Sequence, residues 1–233
     1  MSLYTISPLN ESALLVSFEN IIDETINEKV MALQRAFAKN NFKGFVETVP
    51  AYASLAVFYD VAAVKKNYTA ATTAFEFVKN FTDQVVNKID FFTTPKTNLI
   101  TVPVYYNGED LEYVALLHNI AAEEVITIHT SKPYRVFMIG FLPGFAYMGK
   151  IDDRIATPRL VTPRTNVKPG SVGIAGFQTG IYPLQSPGGW QIIGHTPIKI
   201  FDTAKDNPCL LQASDRVQFF SISKDEFEKL NEY

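Results

Sequence analysis

Cysteine is nearly missing: Cys209 is the only one in 233 residues. That excludes an internal disulfide and a multi-cysteine zinc site, and it fits a reducing compartment. Long apolar runs are missing as well. No uncharged apolar run reaches the ~18 residues of a membrane span. The opening residues, MSLYTISPLNESALLVSF, lack the basic start and long apolar run of a signal peptide. A cytoplasmic protein with no membrane partner is expected. There is no excess of positive charge either. The formal net charge is −3, so nothing overall signals a nucleic-acid partner. Histidine is sparse, with three residues and no HExxH pair, so no metal site is readable. The chain has no GxSxG elbow for a serine hydrolase and no GxxxxGK(S/T) loop for a nucleotide.

Two further scarcities are local. Outside residues 140–194 the only glycines are Gly44 and Gly108; the other ten of 12 lie inside, with seven of the 13 prolines between residues 140 and 197. Helices do not persist at that density. Short strands and tight turns do, so a barrel or sandwich is expected there. From Arg154 to Phe201 there is no Asp or Glu, although the chain carries 24. The same stretch holds Arg154, Arg159, Arg164, Lys168 and Lys199.

Apolar residues make up 47% of the chain, enough to bury a substantial core. Roughly the first 90 residues read as a small two-layer α+β unit. SALLVSF (12–18) is β-prone. In DETINEKVMALQRAFAKN (23–40), Ile26, Val30, Leu33 and Phe37 fall at helical spacing behind Asp23 as N-cap. GFVETVP (44–50) and SLAVFYD (54–60) form a strand pair, with Asp60 assigned to strand termination. Residues 69–89 form a second amphipathic helix with Phe77, Phe81 and Val85 on one face. DFFTTPKTN (90–98) is the candidate linker, and the domains are taken as 1–92 and 93–233. LITVPVYY (99–106), YRVFMIGF (134–141) and DRVQFFSIS (215–223) read as strands, and 109–120 and 121–130 as short helices. Ser223 and Glu226 have capping-box spacing for a last helix.

The acid-free stretch suggests an anionic ligand, since a guanidinium fork binds two oxygens at once. The doublet TPRLVTPR (157–164) repeats Thr-Pro-Arg and stiffens the backbone ahead of each arginine. A solvated basic rim is the plainer reading. GSVGIAGFQTGIYPLQSPGGW (170–190) spaces glycines every three or four positions. Gln178, Thr179, Tyr182, Gln185 and Ser186 lie among them as neutral hydrogen-bonding groups. Such a lining suits a small polar substrate with an amide, while turns and bulges alone explain part of the glycine content. GFLPGFAYMG (140–149) threads Phe141, Phe145 and Tyr147 through glycines and Pro143. Either these rings wall a cleft or meet a partner, or they plug one end of the barrel. His118 and His129 each end a predicted helix, where an imidazole often only complements the dipole. Cys209 and Trp190 read as packing residues.

Together VETVPAYASLAVFYD, AAEEVITIHTSKPYRVFMIGFLPGFAYMG, TPRLVTPR and GSVGIAGFQTGIYPLQSPGGWQIIGHTP resemble the 5-oxoprolinase B-subunit family. That family is also called allophanate hydrolase subunit 1 or the histidine-kinase inhibitor KipI family. The resemblance implies an α+β chain: a small two-layer α/β N-terminal domain followed by a cyclophilin-like β-barrel domain. It implies a cytoplasmic hetero-oligomer with homologues of the C-subunit and the A-subunit, opening 5-oxo-L-proline to L-glutamate at the expense of ATP. With no phosphate loop in this chain, ATP would be bound with or by a partner, and the chain alone would have little activity. Arg159 and Arg164 would contact the substrate anion. Gln178 and Tyr182 would orient the amide, with His118 or His129 as acid–base groups. Gly144, Phe145, Ser186, Gly188 and Gly189 would line the substrate site. Two other readings follow from the family: a binding-type inhibitor of a sensor histidine kinase, or one component of an allophanate- or urea-type amide hydrolase. A stand-alone peptidyl-prolyl isomerase follows from the barrel alone and ranks last. Lys150, Phe177 and His195 depart from the family pattern, which has glycine, a small residue and a permanent cation at those places.

Overall fold

The structure, a computed structural model, describes residues 4–89 and 97–231. It divides into two compact units, Met1–Lys96 and Thr97–Tyr233. The expected boundary at 92/93 and most of the expected linker lie outside the described residues.

The first unit runs β1 (Thr5–Asn10), β2 (Ala13–Ser17), α1 (Glu24–Lys39), β3 (Phe45–Pro50), β4 (Ser54–Tyr59), α2 (Val61–Asn67) and α3 (Ala74–Val86). Its antiparallel sheet has the order β1-β2-β4-β3. Asp23 caps α1 by accepting from the Ile26 amide at 3.0 Å. The 3.6-residue period then turns Ile26, Val30, Leu33 and Phe37 inward, all buried. They meet Leu14, Val16, Leu55 and Val57, which alternate onto one face of the sheet. Full burial of such side chains contributes about 1.5–3 kcal/mol each. Phe42 ties α3 to β3, its ring edge-on to Phe81 at 5.1 Å and to Phe45 at 5.9 Å.

Two elements here are absent from the sequence reading. Strand β1 is almost wholly exposed and contains Pro8, so it lacks the alternation that marks a half-buried strand; it is an edge. Helix α2 is two turns long with Val64 as its buried residue, too short to show a period. Asp60 therefore does not merely end a strand. It caps α2, accepting from the Ala63 amide at 2.9 Å.

The second unit runs β5 (Leu99–Val104), α4 (Leu111–His118), α5 (Ala122–Thr130), β6 (Tyr134–Ile139), β7 (Ala146–Gly149), a 3-10 turn (Asp153–Ile155), β8 (Arg164–Val167), β9 (Ser171–Ala175), β10 (Gln178–Ile181), β11 (Ser186–Gly188), β12 (Gln191–His195), β13 (Arg216–Ser221) and α6 (Lys224–Asn231). Seven strands pair in the order β12-β9-β10-β7-β6-β13-β5, antiparallel except β13 with β5. The two edges then meet: Tyr105, just past β5, and His195 exchange two backbone hydrogen bonds of 2.9 Å. The sheet is thus a nearly closed barrel. Val104, Val136, Met148, Val172, Ile174 and Ile193 fill it, and α4 and α5 pack on it through Val114, Val125 and Ile128. Strands β8 and β11 form a separate two-stranded ribbon. The glycine- and proline-dense region gives six of the short strands, as its composition dictates. The capping box forms reciprocally: the Ser223 amide donates to Glu226 Oε2 at 2.7 Å, and the Glu226 amide to Ser223 Oγ at 3.3 Å.

Candidate functional site

The stretch GFLPGFAYMG splits its aromatics between two tasks. Leu142-Pro143-Gly144-Phe145 is a tight turn closed by the Phe145 amide donating to Leu142 O at 3.0 Å. Gly144 sits at φ +79°, which the third position of a type II turn demands. The turn drives Phe145 into the barrel end, where it is 1% exposed. There it is the hub of an aromatic cluster, edge-on to Tyr147 at 4.8 Å, Tyr182 at 5.2 Å, Trp190 at 5.3 Å and Phe141 at 5.6 Å. Offset and edge-on pairs of this kind add about 0.5–1.5 kcal/mol beyond area burial. Above the hub lies a cavity of about 220 Å³. Its walls are Phe141, Tyr147, Tyr182 and Trp190, with Pro163, Pro187, Gly188, Gly189 and Arg159 completing them. The two readings of these rings are therefore both realised: Phe145 is the plug, and Phe141 and Tyr147 are the wall.

Glycine is required at one position of this wall. A Cβ on Gly188 would overlap Tyr182 Oη, so no side chain fits there without displacing the tyrosine. Burial raises the Tyr182 phenol, with the Trp190 backbone amide and Arg159 pulling the other way. Burial likewise raises Tyr147. Both rings present neutral hydroxyls at neutral pH.

Arg159 reaches the cavity from the TPRLVTPR loop, its guanidinium carbon 5.8 Å from the centre of the Trp190 ring. The backbone on either side of it is pinned. Pro158 O accepts from Gln191 Nε2 at 2.9 Å, and the Leu160 amide donates to Gly189 O at 2.7 Å. Gln191 is 2% exposed, and among the described residues its Oε1 has no partner. The bond to Pro158 O ties this buried side chain to the loop that carries Arg159. Sequence reasoning missed Gln191, because only the position opposite Pro158 marks it.

The acid-free stretch in sequence is not acid-free in space. Carboxylates from outside it come to three of its five cations. Asp152 and Glu124 meet Arg154 at 3.1 and 3.7 Å, and Asp202 meets Lys199 at 3.1 Å. Glu109 and Asp110 meet Arg164 at 2.7 and 2.6 Å. Arg164 also donates to Trp190 O at 3.2 Å. It stands behind the tryptophan as a brace and does not line the cavity. Among the described residues Arg159 has no carboxylate within ion-pair distance.

Of the expected site residues, the structure brings Arg159, Tyr182, Gly188 and Gly189 to one cavity, with Phe145 directly beneath. The others lie elsewhere. Gly144 packs on Phe201; a Cβ there would meet Phe201 Cβ at 3.0 Å. Ser186 is buried in the β11–β8 ribbon and donates to Pro187 O at 3.1 Å. Gln178 opens β10 opposite Gly149. His118 Nε2 bonds Thr157 Oγ1 at 3.1 Å, which anchors the same loop from the other side. His129 is in the barrel core with no exposed surface, both ring nitrogens engaged. Among the described residues no three His, Cys, Asp or Glu side chains gather as a metal group. Nor is any helix there long and apolar enough to cross a membrane.

Comparison with known proteins agrees with the resemblance in the glycine-rich motifs. The family profile described as "Carboxyltransferase domain, subdomain C and D" matches residues 4–211. The B-subunit of 5-oxoprolinase from Bacillus subtilis (strain 168) is 41% identical over 233 residues, covering 98% of this chain and 97% of that one. The solved structure of TTHA0988 superposes with a TM-score of 0.77 at 30% identity over 91% of this chain, which spans 40% of that protein's length. The conserved uncharacterized protein PH0987 from Pyrococcus horikoshii is 42% identical, with 96% of this chain and 100% of that one covered and a TM-score of 0.54. Identity at that level over nearly the full length of both proteins, together with a profile spanning both units, places the chain in the 5-oxoprolinase B-subunit family.

Proposed function

We propose that this chain is the B-subunit of a 5-oxoprolinase and that the cavity beneath Arg159 receives 5-oxoproline. The observation that carries this is Arg159 itself: a guanidinium with no carboxylate partner among the described residues, fixed over Trp190 at an aromatic-lined cavity. 5-Oxoproline is a flat five-membered lactam bearing one carboxylate. Its ring faces suit Tyr147, Tyr182 and Trp190, and its carboxylate suits the guanidinium fork. The neutral Tyr182 hydroxyl is a donor for the lactam oxygen as negative charge develops there. Ring opening adds water to the carbonyl carbon and breaks the C–N bond. The nitrogen leaves as the protonated amine of glutamate.

This cavity is small for a nucleotide. About 220 Å³ suits a one-ring ligand and falls below the range of larger ligand pockets. We therefore assign ATP to a site formed with, or within, the A- and C-subunit partners, and expect little ring opening from this chain alone. The test is the assembled complex assayed for glutamate from 5-oxoproline and ATP. Arg159→Ala should raise KM for 5-oxoproline ~10–100-fold, the size of a hydrogen bond to a charged group, and leave the melting temperature of the chain unchanged. A KM within about twofold of wild type would refute the assignment, as would robust ATP-dependent turnover by the isolated chain.

A further inference from the structure

Phe141 occupies a backbone conformation that a phenylalanine resists. Its φ is +68°, and the Leu142 amide donates back to Gly140 O at 2.8 Å. A two-residue bond around a residue with positive φ is the rarer, strained form of the γ-turn. For a bulky side chain, positive φ is an outlier with a real steric cost. Glycine would take the position without that cost, and the sequence has glycine on either side, at Gly140 and Gly144. Packing does not account for the choice of phenylalanine. The residue is 62% exposed, against 1% for Phe145, and its ring meets Phe145 edge-on at 5.6 Å. What the ring does cover is the cavity: Phe141 lines it together with Arg159 and Trp190.

We infer that Phe141 is a ligand-contact residue held in a strained turn so that its ring closes one side of the cavity over the substrate's ring face. The inference rests on the cavity being the 5-oxoproline site. It assigns specificity as well as affinity. A flat ring gains the contact, and an open-chain acid that satisfies Arg159 does not.

Two substitutions separate strain from contact. Phe141→Gly removes the ring and relieves the turn. Phe141→Ala removes the ring and keeps a Cβ at positive φ. In the assembled complex both should raise KM for 5-oxoproline ~5–10-fold with kcat largely retained, the loss of part of one buried aromatic contact. In thermal melts of the full chain, Phe141→Gly should melt ~2–4 °C above Phe141→Ala, the shift expected of a strain of this size in a chain of this length. A side chain kept only for packing would show a lower melting temperature for both variants and no change in KM. If Phe141→Gly melts at or below Phe141→Ala, the strain assignment falls. If Arg159→Ala raises KM but neither Phe141 variant does, the contact falls and the cavity assignment stands. If none of the three changes KM, the cavity assignment falls and takes this inference with it.

Discussion

Replacing Asp110 by alanine is expected to destabilise the barrel unit by about 3–5 kcal/mol, the cost of stripping one partner from a buried, hydrogen-bonded ion pair. Asp110 is buried at the start of α4. One carboxylate oxygen meets Arg164 Nη2 at 2.6 Å; the other accepts from the Ile192 amide in β12. Its own amide donates to Ile192 O at 2.9 Å. The approach is possible because residue 108 is glycine: a Cβ there would overlap Ile192 O. Removing the carboxylate leaves Arg164 with the exposed Glu109 and the Trp190 carbonyl, and leaves a buried amide of β12 without an acceptor. Glu109→Ala should cost less than about 1 kcal/mol, because Glu109 itself is largely in water and Arg164 keeps Asp110. Urea unfolding reported by Trp190, the only tryptophan, reads this unit directly. Should Asp110→Ala fail to fold, Asp110→Asn gives the graded version, with stability between wild type and collapse. Arg164→Ala should destabilise by a similar amount, which an exposed anion contact would not do. An Asp110→Ala loss below about 1 kcal/mol, the range of an exposed pair, would show that the brace behind Trp190 is dispensable.

Arg159 and Arg164 mark the limit of what the sequence discloses here. They sit in identical Thr-Pro-Arg triplets, five residues apart, in a segment with no acid of its own. Nothing local distinguishes them. The difference is that Glu109 and Asp110, some fifty residues upstream, fold against Arg164 and do not reach Arg159. Charge balance is a property of space, and a one-dimensional scan sees only the part of it that is nearby in the chain. The same reasoning explains Gln191 and Asp110, whose roles depend on what lies across from them in the barrel. Helices α1 and α3 are legible because each buries a periodic stripe behind a capping residue. Strand β1 and helix α2 are not, since an exposed edge and a two-turn helix leave no period. The glycine- and proline-dense segment announces short strands and turns, but the closing pair between Tyr105 and His195 is a contact across some ninety residues that no local pattern records. GFLPGFAYMG announces an aromatic cluster. Its division into plug and wall requires the turn geometry at Phe141 and Gly144.

His129 should make the barrel unit acid-labile well above the pH at which carboxylates titrate. Its imidazole is fully buried, stacked on Phe219 at 4.6 Å and Tyr134 at 5.4 Å. Nδ1 lies 2.7 Å from Tyr106 Oη and Nε2 2.8 Å from Thr179 Oγ1. Thr179 donates its own proton to Gly173 O at 3.1 Å. The chain of bonds then has one consistent direction: Tyr106 donates to Nδ1, and Nε2–H donates to Thr179. That is a neutral ring, and a second proton on Nδ1 would face the Tyr106 proton. Burial accordingly lowers His129 from its ordinary 6.5 to about 3. With the folded value below the unfolded one, the unfolded state binds the extra proton between those limits. Stability from this group is complete above about pH 6.5 and falls as the pH drops towards 3, by up to about 1.4 kcal/mol per pH unit, or about 2 kcal/mol by pH 5. Urea midpoints of wild type and His129→Gln, taken between about pH 8 and pH 5, should show that slope in the first and a flatter one in the second. If the variant is too unstable to measure, the carbon-13 shifts of the wild-type imidazole settle the point, because the ring must remain neutral at about pH 5 in the folded protein. A ring that titrates near its ordinary 6.5 would mean that the Tyr106–His129–Thr179 chain opens to water, and the barrel core would lose its fixed polar seam.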